Sequence, residues 1–106
     1  MATRFHSELL STNEVTVVSG QQGQKFAIDS IWIANAHSSG VATTIRHVPF
    51  NQTSSASYNL YSAVSIAANT TVVIDDPIYL LSGDKLTAFA ATADKISMVV
   101  YGREIR

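Results

Sequence analysis

The chain has no cysteine, so neither a disulfide nor a thiolate can enter its chemistry, and the hydrophobic core must hold the fold unaided. Charge is scarce as well. Charged residues make up 14% of the 106 positions, against about 25% in an average soluble domain, so much of the surface must be Ser, Thr, Asn, Gln or exposed apolar groups. A net charge of -1 gives weak self-repulsion and favours association with copies of the chain or with another protein. The seven Lys and Arg are scattered from Arg4 to Arg106 without a basic stripe, and no nucleic-acid partner is expected. No apolar stretch approaches the roughly 18 residues that cross a bilayer, and the opening Met1-Ala-Thr-Arg-Phe-His-Ser-Glu has no apolar signal segment. The expectation is a protein made in a cytoplasm, with no membrane partner.

Sustained helical periodicity is also missing. In its place, short β-rich runs recur at 14–18, 25–36, 42–48, 70–74, 85–90 and 95–101, separated by polar turns. Such spacing predicts an all-β fold, an antiparallel, jelly-roll-like β-sandwich of about eight strands in a single domain. A chain of this length suffices for one core. Residues 1–12 are expected as an N-terminal arm or edge strand and 13–106 as the sandwich. Alternation assigns the core to Val17, Ile31, Ile33, Ile45, Val64, Ile66, Val72, Ile74, Leu86, Ile96, Met98 and Val100. In the longest run, Ile31 and Ile33 share one face while Ile28, Trp32 and Ala34 share the other, as in a central strand covered on both sides. Runs 25–36 and 42–48 form a plausible hairpin, and Ser82-Gly-Asp84 a hairpin-type turn.

Reactive constellations are not evident, so no catalytic, cofactor-binding or metal-binding residues are expected and the chain is read as a non-enzyme. Asp75-Asp76 is the single paired carboxylate, but neighbouring residues at a strand end point apart, and Asp before Pro is turn chemistry. His6, His37 and His47 lie in separate segments without metal-ligand spacing. No Gly-x-Ser-x-Gly elbow occurs, and the glycines do not gather into a phosphate cradle. Asp29, inside an apolar strand, needs a partner or water, and Arg46 is a possible one. Trp32, Tyr58, Tyr61, Tyr79 and Tyr101 fit a core or subunit interface better than a sugar-stacking platform. Contact surfaces fall instead on two segments. Residues 1–12 carry Phe5, Leu9 and Leu10 in polar surroundings, and the loop after Pro49 is too polar to pack, making Phe50, Asn51, Gln52 and Tyr58 the other interface candidates.

The stretch from Ile28 to Asn35, the turn 36–40, Val64-Ser-Ile-Ala-Ala-Asn-Thr-Thr-Val, Leu81-Ser-Gly-Asp-Lys-Leu and Val100-Tyr-Gly-Arg-Glu-Ile together resemble small virion proteins of tailed bacteriophages. The likeness runs from about Phe26 to Ile105 and is silent before it. It implies a β-sandwich virion component without catalytic residues. The expected role is a capsid cement or decoration protein that binds the outer shell and bridges major-capsid subunits. The alternative is a tail- or fibre-associated sandwich that binds a host surface glycan. The partner is then the major capsid protein or another virion protein, and the location is the virion, after synthesis in the host bacterial cytoplasm. Symmetric sites on a shell favour a cyclic homo-oligomer, a trimer first and a dimer second.

Overall fold

In the computed structural model, which describes residues 3–19, 25–75 and 77–105, the β-rich runs become nine strands. They are β1 (Thr3–Leu9), β2 (Val15–Ser19), β3 (Lys25–Asn35), β4 (Val41–Val48), β5 (Asn59–Ile66), β6 (Thr71–Ile74), β7 (Ile78–Leu80), β8 (Lys85–Ala90) and β9 (Ile96–Ile105), with a single 3₁₀ turn at Ala56–Tyr58. One sheet runs β1-β9-β3-β6, with β7 following β6 along the same edge of β3; the other runs β2-β8-β4-β5. Every pairing is antiparallel. The fold is therefore the all-β antiparallel sandwich that the strand spacing predicts. The polar loop at 20–24 and Asp76 lie outside the described residues.

The chain changes sheet at most connections, and among the described residues β4 and β5 are the only consecutive strands hydrogen-bonded to each other. Two sheets threaded in this alternating way form a jelly roll. The expected hairpin of β3 and β4 is consequently absent: the two strands belong to opposite sheets, and residues 36–40 cross the sandwich between them. Asn35 fixes that crossing. Its buried Nδ2 donates to the carbonyls of Ile66, Ser39 and Ala67 at 2.8, 3.1 and 3.3 Å, while its Oδ1 accepts from the His37 amide at 2.8 Å. One side chain thus ties the β3–β4 crossing to the end of β5. The Ser82-Gly-Asp84 turn is tight, with the Asp84 amide bonded to the Leu81 carbonyl at 2.9 Å, but it too passes between sheets, from β7 to β8.

Among the described residues, sixteen buried ones form the core cluster, including Val17, Ile31, Ile33, Ile45, Ile66, Leu86, Ile96, Met98 and Val100, as alternation assigns them. Two assignments fail. Val64 and Val72 are exposed, because β5 and β6 are the sheet edges on a flank where the sandwich stays open, while Ile74 is half-buried and packs against the cluster. Ile28 moves the other way. The register of β3 against β9 shifts between Ile28 and Ser30, a bulge at Asp29 that turns Ile28 onto the face of Ile31 and Ile33, where it is fully buried. One inserted residue reverses the facing of everything beyond it.

The first described residues, from Thr3, are built into the sheet. β1 pairs with β9 from Thr3 opposite Gly102 to Leu9 opposite Ser97. Leu10, expected on a contact surface, is fully buried where the chain turns from one sheet to the other. Its amide donates to the Ile96 carbonyl at 2.8 Å and its carbonyl accepts from the Asp94 amide at 3.0 Å, so the backbone there is held on both sides. A side chain of this size, fully buried, contributes about 1.5–3 kcal/mol.

Candidate interaction surfaces

The register of β3 builds an apolar outer face on the β1-β9-β3-β6 sheet. Trp32 lies opposite Val73 on β6 and Val99 on β9, and Val99 lies opposite Ser7 on β1. One row along, Ala34 faces Thr71 and Ser97, and Ser97 faces Leu9. Antiparallel partners share a face, so these side chains form one uncharged patch. Trp32 is 46% exposed and Leu9 52%. Trp32 was expected under cover, yet no described element packs over this face. Charge borders the patch at both ends: Lys95 stands two residues before Ser97, and Arg4 lies opposite Tyr101, two residues beyond Val99. One row further, the Arg103 guanidinium donates to both carboxylate oxygens of Asp29 at 2.9 and 3.1 Å. Arg103, not Arg46, is thus the partner of Asp29. Tyr79, 54% exposed, lies opposite Ala27 beside that pair, since Ala27 also faces Arg103.

A second apolar feature opens between the edges β5 and β6. This cavity of about 140 Å³ has Ile33, Ile45 and Ile66 at its base and Tyr61, Val64, Val72 and Ile74 at its mouth. Thr43, 1% exposed, also lines it, and its Oγ1 has no hydrogen-bond partner.

The outer face of the other sheet is polar and roofed. Arg46 on β4 lies opposite Thr87 on β8, and Glu14, just before β2, bridges them. Glu14 Oε1 accepts from Arg46 at 2.8 Å, while Oε2 accepts from the hydroxyls of Thr87 and Ser54. Arg46 Nε also donates to Asn59 Oδ1 at 2.7 Å, and its guanidinium stands 5.0 Å from the centroid of the Phe89 ring. Burial acts to raise the Glu14 carboxyl, but the hydroxyls of Ser54 and Thr87 and the charge of Arg46 outweigh it and hold the group below its ordinary range. Ser54 belongs to the loop after Pro49, so this network anchors the middle of that loop to the sheet.

Asp84 fastens the start of the same loop. Its Oδ1 accepts from the Phe50 amide at 2.9 Å, and its Oδ2 lies 2.9 Å from His47 Nε2 and 3.1 Å from the Leu81 amide. Burial again opposes the charge, and the bonds from His47, Phe50 and Leu81 prevail, so the Asp84 carboxyl also lies low. Of the expected interface residues, Phe50, Asn51, Gln52 and Tyr58 come together in this loop, where the Tyr58 hydroxyl donates to Gln52 Oε1 at 3.3 Å. Leu9 lies on the opposite sheet and Leu10 in the core. The Phe5 side chain falls outside the described residues. Sequence reasoning missed Trp32, Val73 and Val99 as surface residues; the signal for them was a β3 run apolar on both faces. Among the described residues, no group of three His, Asp or Glu side chains is placed to hold a metal ion, and no helix is long and apolar enough to cross a membrane.

No protein-family model matches the chain, and no curated protein matches it in sequence. Solved structures do match it in fold. A Bacillus endospore appendage protein, from a family described as disulfide-linked pili, superposes with a TM-score of 0.58 at 10% identity, over 96% of this chain and 83% of that one. Eiger TNF from S. frugiperda gives 0.51 at 12% identity, over 97% and 91% of the two chains. A chain of infectious bursal disease virus, Gx strain, gives 0.50 at 11% identity, over 97% of this chain but 37% of that one. At such identities the likeness establishes the jelly-roll sandwich and nothing about activity.

Proposed function

We propose that this chain is a structural protein of a bacteriophage virion, a capsid cement or decoration protein that docks on the outer shell, and that it is not an enzyme. The observation that carries the reading is the uncharged outer face around Trp32, an apolar patch with no cover in a chain otherwise poor in charge. Support comes from the likeness of the segments between Phe26 and Ile105 to phage virion proteins. The same sandwich also serves in a virus particle and in a pilus-like appendage. Binding to the assembled shell alone would stabilise it by mass action, and repetition over a lattice would multiply weak contacts. The test is co-sedimentation with purified phage capsids: the native chain pellets with them, and Trp32→Glu stays in the supernatant while keeping its β-type circular dichroism. Equal pelleting of both proteins would reject the patch as the docking face.

Trp32 and Tyr79, both exposed on that face, favour a second reading, a tail- or fibre-associated protein stacking a host glycan on its aromatic rings. A glycan array separates the two. Cement leaves the array blank, whereas selective binding lost in Trp32→Ala selects the glycan reading.

A further inference from the structure

Residues 47–74 contain no Asp, Glu, Lys or Arg, and the fold places much of this segment on one flank, where β5 and β6 are the edges of the two sheets. Sheet edges in monomeric proteins usually carry a charge, a proline or a bulge that blocks further pairing. β5 has such a device. Its register against β4 shifts next to Thr43, Ala63 adopts φ 50°, and the Ala63 amide is bonded to Thr44 Oγ1 at 3.1 Å. β6 is short, four residues running into Asp75-Asp76-Pro77, but within those four there is no charge, proline or bulge, and they pair with β3 in unbroken register from Ile74 opposite Ile31 to Thr71 opposite Ala34. Its outer side is unpaired among the described residues.

Between these edges lies the apolar cleft, with Val64 and Val72 exposed at its mouth and the Thr43 hydroxyl buried in its wall without a partner. Buried polar groups are nearly always satisfied, so this unpartnered hydroxyl sets the cleft apart from the close-packed remainder of the core. The opposite flank, formed by β1 and β2, is different in kind. Leu10 closes it from inside, and its exposed described residues are Ser7 and Leu9 on β1 and Thr16 and Ser19 on β2, mostly hydroxyls. A head-to-tail contact would set the apolar mouth against those hydroxyls. A two-fold contact sets apolar mouth against apolar mouth, and two-fold interfaces are self-complementary by construction.

We propose that two copies of this chain pair through this flank about a two-fold axis, with β6 antiparallel to β6 of the second copy and the two clefts closing on each other. The larger sheets then join into one continuous sheet. Both Trp32 patches face the same side, which gives the pair two docking faces for one surface. The inference stands whether that surface is a capsid, a glycan or neither.

Sedimentation at increasing concentration tests it on the full chain. The native protein reaches twice the monomer mass, and Val72→Lys stays at monomer mass with its circular dichroism unchanged. Because the chain lacks cysteine, single introduced thiols give a second, independent readout. Val73→Cys copies join to one another through a short bis-maleimide, and Thr16→Cys copies do not. A native protein that remains monomeric near millimolar concentration overturns the proposal, as does a dimer that survives Val72→Lys. Should Val72→Lys fail to fold, linkage at Thr16 equal to that at Val73 overturns it instead. A trimer mass rejects the two-fold arrangement.

Discussion

The ring of Phe50 lies over Gly83, so close that a Cβ on residue 83 would stand 2.3 Å from the ring Cδ1. Gly83 also has φ +80°, in the left-handed region that an L side chain enters at a cost of about 1–2 kcal/mol. Backbone and neighbour therefore demand glycine at the same point. Gly83→Ala is expected to lower the melting temperature by about 5 °C or more. In a Phe50→Ala background the same change costs less, because the clash goes while the backbone strain stays. Equal penalties in the two backgrounds would show that the ring moves aside freely.

The Glu14 and Asp84 carboxyls both lie below their ordinary range when folded, despite burial, because hydroxyl, amide and cationic partners hold the charged form. A depressed folded pKa contributes stability that is present above the unfolded pKa and is lost as pH falls through the folded one. Urea midpoints should therefore fall as pH drops through and below the normal carboxylate range near 4. Asp84→Asn and Glu14→Gln should each flatten that dependence. Glu14→Gln also leaves the half-buried Arg46 without its ion partner, a loss of about 1–3 kcal/mol at neutral pH. An unchanged acid slope in both variants would remove these carboxyls from the account.

Much of this fold is legible from alternation alone. Ile31, Ile33, Ile45, Ile66, Leu86, Ile96, Met98 and Val100 repeat with the period of a strand, and all are buried. Alternation says that a side chain faces inward, not whether anything waits for it there. Val64 and Val72 face inward on a flank that stays open, and no local pattern distinguishes them from Ile66. The Asp29 bulge is invisible for a related reason: it exists only against β9, some seventy residues away, and so does the Arg103 partner of Asp29. The polar loop after Pro49 was legible as a loop. Its fastening by Glu14 and Asp84 was not, since both anchors come from other strand ends.

Trp32 is the sole tryptophan of the chain and sits at the centre of the proposed docking face, where it reports on its own environment. Free in solution, its emission should be red-shifted and readily quenched by acrylamide. Capsid binding should shift the emission to the blue and protect it, and Tyr79→Ala, at the margin of that face, should change neither effect by much. Binding without any change at Trp32 would move the contact elsewhere, with the loop of Phe50 and Tyr58 the next surface to substitute.

Removing residues 1–11 tests how the N-terminal segment serves the molecule. Reading it as an arm ordered on binding predicts a shortened chain that still folds. The structure gives the opposite expectation, because β1 supplies an edge of the larger sheet and Leu10 fills the core between the sheets. Loss of the Leu10 side chain alone, as Leu10→Ala, should cost about 2–5 kcal/mol, a large share of the 5–15 kcal/mol that holds a typical domain together. The chain starting at Thr12 should then show little cooperative unfolding, and it also exposes the previously paired edge of β9. Leu9→Ala is the control: its side chain points outward, so the melting temperature should barely move while any contact made by the outer face weakens. A truncated chain that melts cooperatively near the native temperature would return this segment to the role of a free arm.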